Sequence, residues 1–385
     1  MIPYGRQDIT EADIEAVVQV LRSDFLTQGP VVPAFERAVA TYSGATYSVA
    51  VNSATSALHI ACLALGLGPG DRLWTVPNTF VASANCGLYC GAEVDFVDID
   101  PDSWNLSVTA LKARLLQARQ DGLLPKVLVP VHFGGQPPDQ EAIWELAQEF
   151  GFKVIEDASH AIGASRQGER AGNCKWSDIT VFSFHPVKIV TTGEGGMALT
   201  NDTELAGRME MLRSHGITRD AEKFTQAAFG PWHYEQQALG FNYRMTDIQA
   251  ALGVSQLARL DGYVERRNLL ARRYDELLRG LPLQLPVVLA SNRSAFHLYV
   301  VRVKSNPRGR TREQVFSELR QGGIGVNVHY MPVHLQPYYR LLGFADGAFP
   351  IAESYASEAI TLPLYPQLTE EGQDQVVSAL VRALT

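Results

Sequence analysis

The stretches "KVLVPVHFGG", residues 126–135, and "FKVIEDASH", residues 152–160, decide the fold, because each contains an apolar run and a helical segment near 138–150 separates them. Continuous apolar strands are typical of parallel sheets whose two faces are covered by helices. The two stretches therefore predict one strand–helix–strand unit of a mainly parallel α/β sheet.

The same alternation continues towards both ends of the chain. An amphipathic helix near the start is indicated by the capping pair Thr10 and Asp13, followed by apolar residues at helical spacing. Further strands are predicted at "SVAVNS", "RLWTVP", "EVDFVDID", "DITVFSF" and "GMALTN". Further helices are predicted near 53–65, 80–90 and 108–119. We expect residues 1–245 to form one large α/β domain.

The pattern changes from about residue 246. Two helical segments, "TDIQAALGVSQLARL" and "ERRNLLARRYDELLRGL", are followed by strands at "HLYVVRV" and "GVNVHY" and by helices near 311–321 and 369–384. We expect residues 246–385 to form linker helices and a smaller C-terminal α+β domain.

Composition excludes several classes of function. The chain has 385 residues and a net charge of -8, and it has no Lys/Arg cluster longer than "ERR" or "ARR", so we expect no nucleic-acid partner. Its four cysteines lack paired CxxC spacing, which indicates neither a metal site nor a disulfide framework and favours a cytoplasmic setting. The N-terminus lacks a signal-peptide pattern, and polar residues interrupt the longest apolar stretch, 48–67, so we expect no membrane association.

Polar residues cluster where the predicted strands end, the edge at which open α/β sheets bind ligands. "NSATSA" begins a helix with hydroxyl residues, which favours either a bound phosphate or a plain N-cap. Phe80 follows the next strand, and Asp157 and His160 follow a later one. In "SFHPVKIVTTGEGG", residues 183–196, Lys188 lies where a strand runs into a flexible turn, a place suited to a nucleophile or to an ordinary surface lysine.

One ligand accounts for all of these groups together. Pyridoxal 5'-phosphate (PLP) has a phosphate for the helix start and Ser183, a flat ring for Phe80, a ring nitrogen for Asp157 and an aldehyde for Lys188. Lys188 would hold this cofactor through its aldehyde and then move a proton between substrate and cofactor.

The ordered set of such segments resembles the DegT/DnrJ/StrS-type sugar aminotransferases, a branch of the fold-type I PLP-dependent enzymes. The segments that carry the resemblance are "NSATSALH", "NTFVASANC", "VHFGGQP", "IEDASHAIGA", "SFHPVKIVTTGEGGM", "LRSHG" and "FNYRMTDIQAALGVSQL". The resemblance runs from about Pro3 to the C-terminus. It implies the fold-type I architecture, with a large sheet domain and a smaller C-terminal domain.

The resemblance also implies a role for individual residues. Lys188 would be the catalytic lysine, Asp157 the partner of the ring nitrogen, and His160 the partner of the cofactor's O3′. Asn242 would reach the phosphate bound by the neighbouring subunit, which implies a homodimer with shared active sites. The remaining cofactor-binding residues would be Ala54, Thr55 and Ser183 for the phosphate and Phe80 for the ring.

Two segments narrow the resemblance further. "SFHPVK" and "VHYMPVHLQPYY" are similar to UDP-4-amino-4,6-dideoxy-N-acetyl-β-L-altrosamine transaminases of pseudaminic acid synthesis. This implies transfer of the amino group of L-glutamate to the C4 ketone of UDP-2-acetamido-2,6-dideoxy-β-L-arabino-hexos-4-ulose. The candidate substrate-binding residues are Gln28, His185, Arg213, His329 and Tyr330.

Alternatives stay open at this point. His329 and Tyr330 also fit a plain strand end, His185 a supporting position beside Ser183, and Arg213 the surface of a helix. Another UDP- or dTDP-linked 3-keto or 4-keto sugar is an alternative substrate. A PLP-dependent dehydrase would carry histidine in place of Lys188, and a non-catalytic binding or regulatory protein would be expected to lose Lys188 or Asp157.

Overall fold

A computed structural model describes residues 1–385. The helices are α1 (Glu11–Leu21), α2 (Val31–Ser43), α3 (Ala54–Ala64), α4 (Ala82–Tyr89), α5 (Val108–Asp121), α6 (Gln140–Phe150), α7 (Thr203–Arg213), α8 (Asp247–Leu257), α9 (Leu260–Leu277), α10 (Arg312–Gln321), α11 (Pro337–Leu341), α12 (Pro350–Glu358) and α13 (Glu370–Leu384). The strands are β1 (Tyr47–Val51), β2 (Arg72–Thr75), β3 (Glu93–Phe96), β4 (Val127–Val129), β5 (Lys153–Asp157), β6 (Ser165–Arg166), β7 (Glu169–Arg170), β8 (Ile179–Ser183), β9 (Gly196–Thr200), β10 (Ile217–Thr218), β11 (Glu235–Gln236), β12 (Leu283–Gln284), β13 (Asn292–Arg293), β14 (Tyr299–Val303) and β15 (Ala359–Leu362).

The large sheet has seven strands in the order β1-β9-β8-β5-β4-β2-β3. All neighbours from β3 to β8 are parallel, and only β9 runs antiparallel, to β8 on one side and β1 on the other. Every residue of β4, β8 and β9 is buried, which explains the continuous apolar runs. The predicted mainly parallel α/β sheet is confirmed.

A second apolar core lies under the three-stranded antiparallel sheet β12-β14-β15. Helices α10 and α13 contribute Val315, Leu319, Val376 and Leu380 to it. The predicted smaller C-terminal α+β unit is therefore present. The boundary between residues 245 and 246 stays a prediction, and α8, which begins just after it, packs on α1 and α2 of the N-terminal part. No helix combines the length and the apolar character needed to cross a membrane.

The predicted strand at "GVNVHY" is wrong. Ile324 makes a single parallel bridge to Ile2, whereas Asn327 makes a single antiparallel bridge to Thr361, so the segment changes partner within three residues and forms no ladder. His329 therefore lies in irregular chain and not at a strand end.

Several regular elements, among them α2, α12 and β15, are absent from the sequence-based prediction. Helix α2 begins after Pro30 without any side-chain cap of its own. Its N-terminus is instead held by Asp247 on α8, whose carboxylate accepts hydrogen bonds from the backbone N–H groups of Gly29, Val31 and Val32 at 2.7–3.0 Å. Because Asp247 lies 215–218 residues away in the chain from the groups it caps, no local sequence pattern predicts the start of α2.

We expect Asp247→Ala to lower the free energy of unfolding by about 2–4 kcal/mol, since three backbone donors lose a charged acceptor and Asp247 is fully buried. Denaturant unfolding of the purified protein measures the effect. Asp374→Ala is the control, because that carboxylate pairs with Arg273 at the exposed surface and its loss should shift the midpoint far less. Equal midpoints for Asp247→Ala and the wild type would refute the capping role.

Candidate active site

A cavity of about 980 Å³ opens at the carboxyl ends of β1, β5 and β8. Segments that follow β2 and β4 complete its wall with Phe80 and Val131, and the irregular segment 327–330 contributes from the C-terminal part. Ten of the thirteen residues predicted for the site line this cavity. They are Ala54, Thr55, Phe80, Asp157, His160, Ser183, His185, Lys188, His329 and Tyr330.

The start of α3 forms one end of the cavity. Ser53 is the N-cap, and its Oγ accepts a hydrogen bond from the backbone N–H of Ser56 at 3.1 Å. This cap satisfies one donor but leaves the N–H groups of Ala54 and Thr55, at the first two helical positions, without an intrahelical acceptor. The plain N-cap is therefore present, and the capped helix still presents free donors and its positive dipole end to the cavity.

Gly196 allows the sheet to approach this helix start closely. A Cβ at Gly196 would lie 2.5 Å from the backbone nitrogen of Ala54, a distance that no side chain tolerates. Gly196 pairs with Ser183 on β8, so the same contact places the Ser183 side chain beside the start of α3. Gly196, the last glycine in "SFHPVKIVTTGEGG", thus serves the packing of β9 against α3.

Asp157 ends β5 and is almost completely buried. Its Oδ2 accepts a hydrogen bond from Ser83 Oγ at 2.6 Å, and its Oδ1 accepts one from the backbone N–H of Ser159 at 3.1 Å. No lysine or arginine forms an ion pair with it within 4.0 Å, since Asp157 takes part in none of the salt bridges of the chain. An ionised carboxylate held in this way needs the hydrogen bonds to offset its loss of hydration.

Lys188 lies in the cavity wall after β8, and its amine has no ion-pair partner. Burial lowers the pKa of the Lys188 amine to about 8, and the charge of Asp157 limits the decrease by favouring the protonated form. An amine with this pKa is deprotonated in an appreciable fraction of molecules near neutral pH. It can therefore act as a nucleophile and as an acid–base group.

His160 is buried beside Tyr330, with His160 Nε2 and the Tyr330 hydroxyl 3.1 Å apart. Burial, followed by the positive charge of Lys188, lowers the pKa of His160 well below its usual range. His297 packs against it with ring centroids 4.4 Å apart, and burial likewise lowers the pKa of His297. Nδ1 of His160 has no partner in the chain, so a neutral imidazole nitrogen is available to a ligand.

His329 is held in the same wall by two hydrogen bonds. Its Nδ1 lies 2.7 Å from Thr361 Oγ1, and its carbonyl accepts a bond from the Tyr355 hydroxyl at 2.7 Å. Burial, with a smaller contribution from Lys188, lowers the pKa of His329 to about 3. Burial also raises the pKa of Tyr330, so both residues are neutral hydrogen-bonding groups near pH 7.

Three predicted residues lie outside the cavity. Arg213 does not reach it, because its guanidinium is bound to Glu36 at 2.6 Å and to the Ala50 carbonyl at 3.0 Å. The prediction that Arg213 contacts substrate is thus corrected to a structural role between α7, α2 and β1. Gln28 is exposed in the loop before α2 and also lies away from the lining, and Asn242 is exposed outside its own chain's cavity.

His185, a substrate candidate, and Phe80, a candidate for the cofactor ring, are both exposed at the opening of the cavity. His185 is exposed at the edge of the cavity, with its Nε2 3.9 Å from Glu194 Oε1. Phe80 is 57% exposed and its ring centroid lies 6.4 Å from that of Tyr330, so the two aromatic rings flank one side of the opening.

Sequence reasoning missed several lining or supporting residues. Tyr4 and Asn327 come from chain segments without a recognisable pattern, and Gln249 follows the cap of α8. Ser83 lies within the segment "NTFVASANC", but its role depends on the packing of α4 against β5 and has no local signal.

Comparison with known proteins agrees with this geometry. The model of the DegT/DnrJ/EryC1/StrS aminotransferase family matches residues 7–381. The chain belongs to this family. Aminotransferases of the family use PLP, and the fold is that of the fold-type I PLP enzymes.

Individual relatives cover the whole length. The spore coat polysaccharide biosynthesis protein SpsC of Bacillus subtilis (strain 168) is 39% identical over 382 residues, which are 98% of this chain and 96% of SpsC. Helicobacter pylori PseC, an aminotransferase involved in the biosynthesis of pseudoaminic acid, is 29% identical with a TM-score of 0.89 and coverage of 100% and 99%. The PLP-form of Spr1654, a putative sugar aminotransferase from Streptococcus pneumoniae, is 30% identical with a TM-score of 0.88, and each chain is fully covered.

The low pKa of Lys188 predicts selective labelling at moderate pH. In the cofactor-free protein, modification of Lys188 by an amine-reactive reagent should rise with a midpoint near pH 8, because only the free amine reacts. Exposed lysines, with an ordinary pKa of about 10.4, should respond roughly two pH units higher. Peptide mapping by mass spectrometry over a series of pH values measures both groups in one sample. A Lys188 curve that coincides with those of the exposed lysines would contradict the effect of burial.

Proposed function

We propose that the protein transfers the amino group of L-glutamate to the C4 ketone of a nucleotide-linked keto-deoxysugar, with PLP as cofactor and UDP-2-acetamido-2,6-dideoxy-β-L-arabino-hexos-4-ulose as substrate. The observation that carries the proposal is the position of Lys188. Its amine, with a pKa lowered to about 8, shares one cavity with a buried carboxylate and with the open N-terminus of α3.

The residues of the cavity fit PLP group by group. The free N–H groups of Ala54 and Thr55 and the Ser183 side chain suit a phosphate, and the buried Asp157 suits a protonated ring nitrogen. Nδ1 of His160 is buried and has no hydrogen-bond partner in the chain. Buried polar groups normally have a partner, and the hydroxyl on the ring of PLP would provide one. Phe80 supplies an aromatic face at the opening.

When bound, PLP withdraws electrons from the carbon that loses or gains a proton. Asp157 keeps the ring nitrogen positively charged, which strengthens this withdrawal. Lys188 Nζ would hold the cofactor and would carry the proton between substrate and cofactor, a role suited to an amine with a pKa of about 8. L-Glutamate, which would leave as 2-oxoglutarate, and the keto-sugar, which would leave as the amino-sugar, would both use this same site.

The assignment of a keto-sugar as substrate rests on the similarity to PseC and SpsC and on two neutral side chains in the cavity wall, His329 and Tyr330. PseC, which has this fold, is described as an aminotransferase involved in pseudoaminic acid biosynthesis, and SpsC as a spore coat polysaccharide biosynthesis protein. His329 and Tyr330 are neutral groups that suit the hydroxyl, amide and ketone oxygens of a sugar. His185 at the edge is close enough to the opening to meet the nucleotide part of such a substrate.

We further propose that the active unit is a homodimer. L-Glutamate and a nucleotide diphosphate are both anionic, but no arginine of the chain lines the cavity. A second subunit would therefore be needed to supply an arginine to the site. Asn242 is exposed outside its own cavity, as a residue serving the neighbouring subunit's phosphate must be.

The proposed setting is the cytoplasm, and the four buried, unpaired cysteines agree with a reducing compartment.

Product analysis tests the function. We expect the PLP-loaded protein to aminate one member of a panel of UDP- and dTDP-linked 3-keto and 4-keto sugars, with conversion of L-glutamate to 2-oxoglutarate, as followed by mass spectrometry. Lys188→Ala should abolish turnover, and borohydride treatment of the wild type should fix the cofactor to Lys188. Lys175→Ala, which removes a surface lysine paired with Glu169, should have no effect. Amination of a dTDP-linked or 3-keto sugar alone would exclude the substrate named here, and absence of any PLP binding would exclude the reaction.

Subunit mixing tests the shared site. Lys188→Ala and Asn242→Ala homodimers should each be inactive, whereas their mixture should regain activity, because one site of each heterodimer carries neither substitution. Differently tagged chains measure the exchange of subunits. If heterodimers form and remain inactive, Asn242 serves its own chain.

A further inference from the structure

Two buried hydroxyl groups lie behind Asp157 and have no part in the reaction described above. Ser83, in the first turn of α4, contacts Asp157 directly, and Thr79 Oγ1 lies 2.7 Å from Ser83 Oγ. All three side chains are buried. We propose that Ser83, supported by Thr79, is a positioning residue that keeps the Asp157 carboxylate aimed at the cofactor ring, an inference that rests on the proposed use of PLP.

The direction of the hydrogen bonds follows from the chemistry of the groups. An ionised carboxylate can only accept, so the single proton of the Ser83 hydroxyl is donated to Asp157 Oδ2 over 2.6 Å. Ser83 Oγ is then free to accept, so Thr79 must donate its proton to Ser83. The two hydrogen bonds therefore run in one direction, from Thr79 to Ser83 and from Ser83 to Asp157, and each strengthens the other.

Ser83 has no substitute in this role. The other hydrogen bond to the carboxylate comes from the Ser159 backbone to Oδ1 and is longer, at 3.1 Å. Asp157 forms no ion pair within 4.0 Å in the chain, so these two hydrogen bonds are the contacts that hold its carboxylate in place. A hydroxyl in the first turn of α4, in contact with the end of β5, fixes the rotation of the Asp157 side chain.

The affinity for PLP tests this role without relying on turnover. We expect Ser83→Ala to weaken equilibrium binding of PLP to the cofactor-free protein about 10-fold, the effect of losing one hydrogen bond to a charged group. We also expect kcat to fall at least as much, with KM values for both substrates within about twofold, because the lost interaction acts on the cofactor and not on substrate binding. Thr79→Val removes a hydroxyl that contacts Ser83 and not the carboxylate itself. It should therefore weaken PLP binding and lower kcat to a smaller extent than Ser83→Ala.

A double-mutant cycle separates positioning from general loss of structure. In the Asp157→Asn background, Ser83→Ala should change the PLP affinity less than about twofold, because the charge it serves is gone. Ser43→Ala is the matched control, since Ser43 is a buried serine whose hydroxyl has no partner, and it should leave affinity and kcat unchanged. Thermal unfolding of each cofactor-free variant establishes that the variants are folded.

The possible results distinguish this inference from the proposed function. A wild type that binds no PLP would overturn both. A wild type that binds PLP and aminates sugars, together with a Ser83→Ala variant of equal affinity and kcat, would overturn the role of Ser83 alone. Equal losses for Ser83→Ala in the wild-type and Asp157→Asn backgrounds would also overturn it, because they would indicate a structural effect unrelated to the carboxylate.

Discussion

A buried carboxylate without an ion-pair partner is the constraint around which this molecule is arranged. Asp157 stands at the end of β5, in the middle of the seven-stranded sheet, where its charge loses most of its hydration. The compensation comes from separate parts of the chain, namely a hydroxyl on α4, a backbone N–H two residues on, and the nearby amine of Lys188 after β8. Each of these is placed by the fold, so the chemistry gathers at the carboxyl edge of the sheet, where the strand ends and the segments that follow them meet.

The same burial sets the charge of the other titratable groups deep in the cavity. Low hydration lowers the pKa values of Lys188, His160 and His329 together, because each would have to hold a positive charge in the same poorly hydrated space. The amine keeps a pKa near neutrality because Asp157 opposes the effect, whereas the histidines have no such partner and stay neutral. One cavity thus combines an acid–base group with neutral hydrogen-bonding side chains.

How much the sequence predicts depends on whether a contact is local. The parallel sheet and the polar residues at its edge follow from apolar runs and from what succeeds them, so pattern alone places Asp157, Ser183 and Lys188 correctly in one cavity. Helix α2, capped from α8, and Ser83, which acts across α4 and β5, depend on contacts that no window of sequence contains. The prediction for Arg213 failed for the same reason, since its partner Glu36 lies 177 residues away and only the fold joins them.

The reaction and its substrate are specified by different kinds of structure. Groups proposed to act on the cofactor stand at the ends of β5 and β8, in the segments that follow β2 and β8, and at the start of α3, where the close contact at Gly196 joins helix and sheet. The groups proposed to face the sugar come from irregular segments, including 327–330, which follows directly on the change of backbone partners between Ile324 and Asn327. Substitutions in these segments can change the shape of the sugar pocket while the charges of Asp157 and Lys188 stay as they are. A fold built on this plan can therefore change its substrate while it keeps one cofactor chemistry.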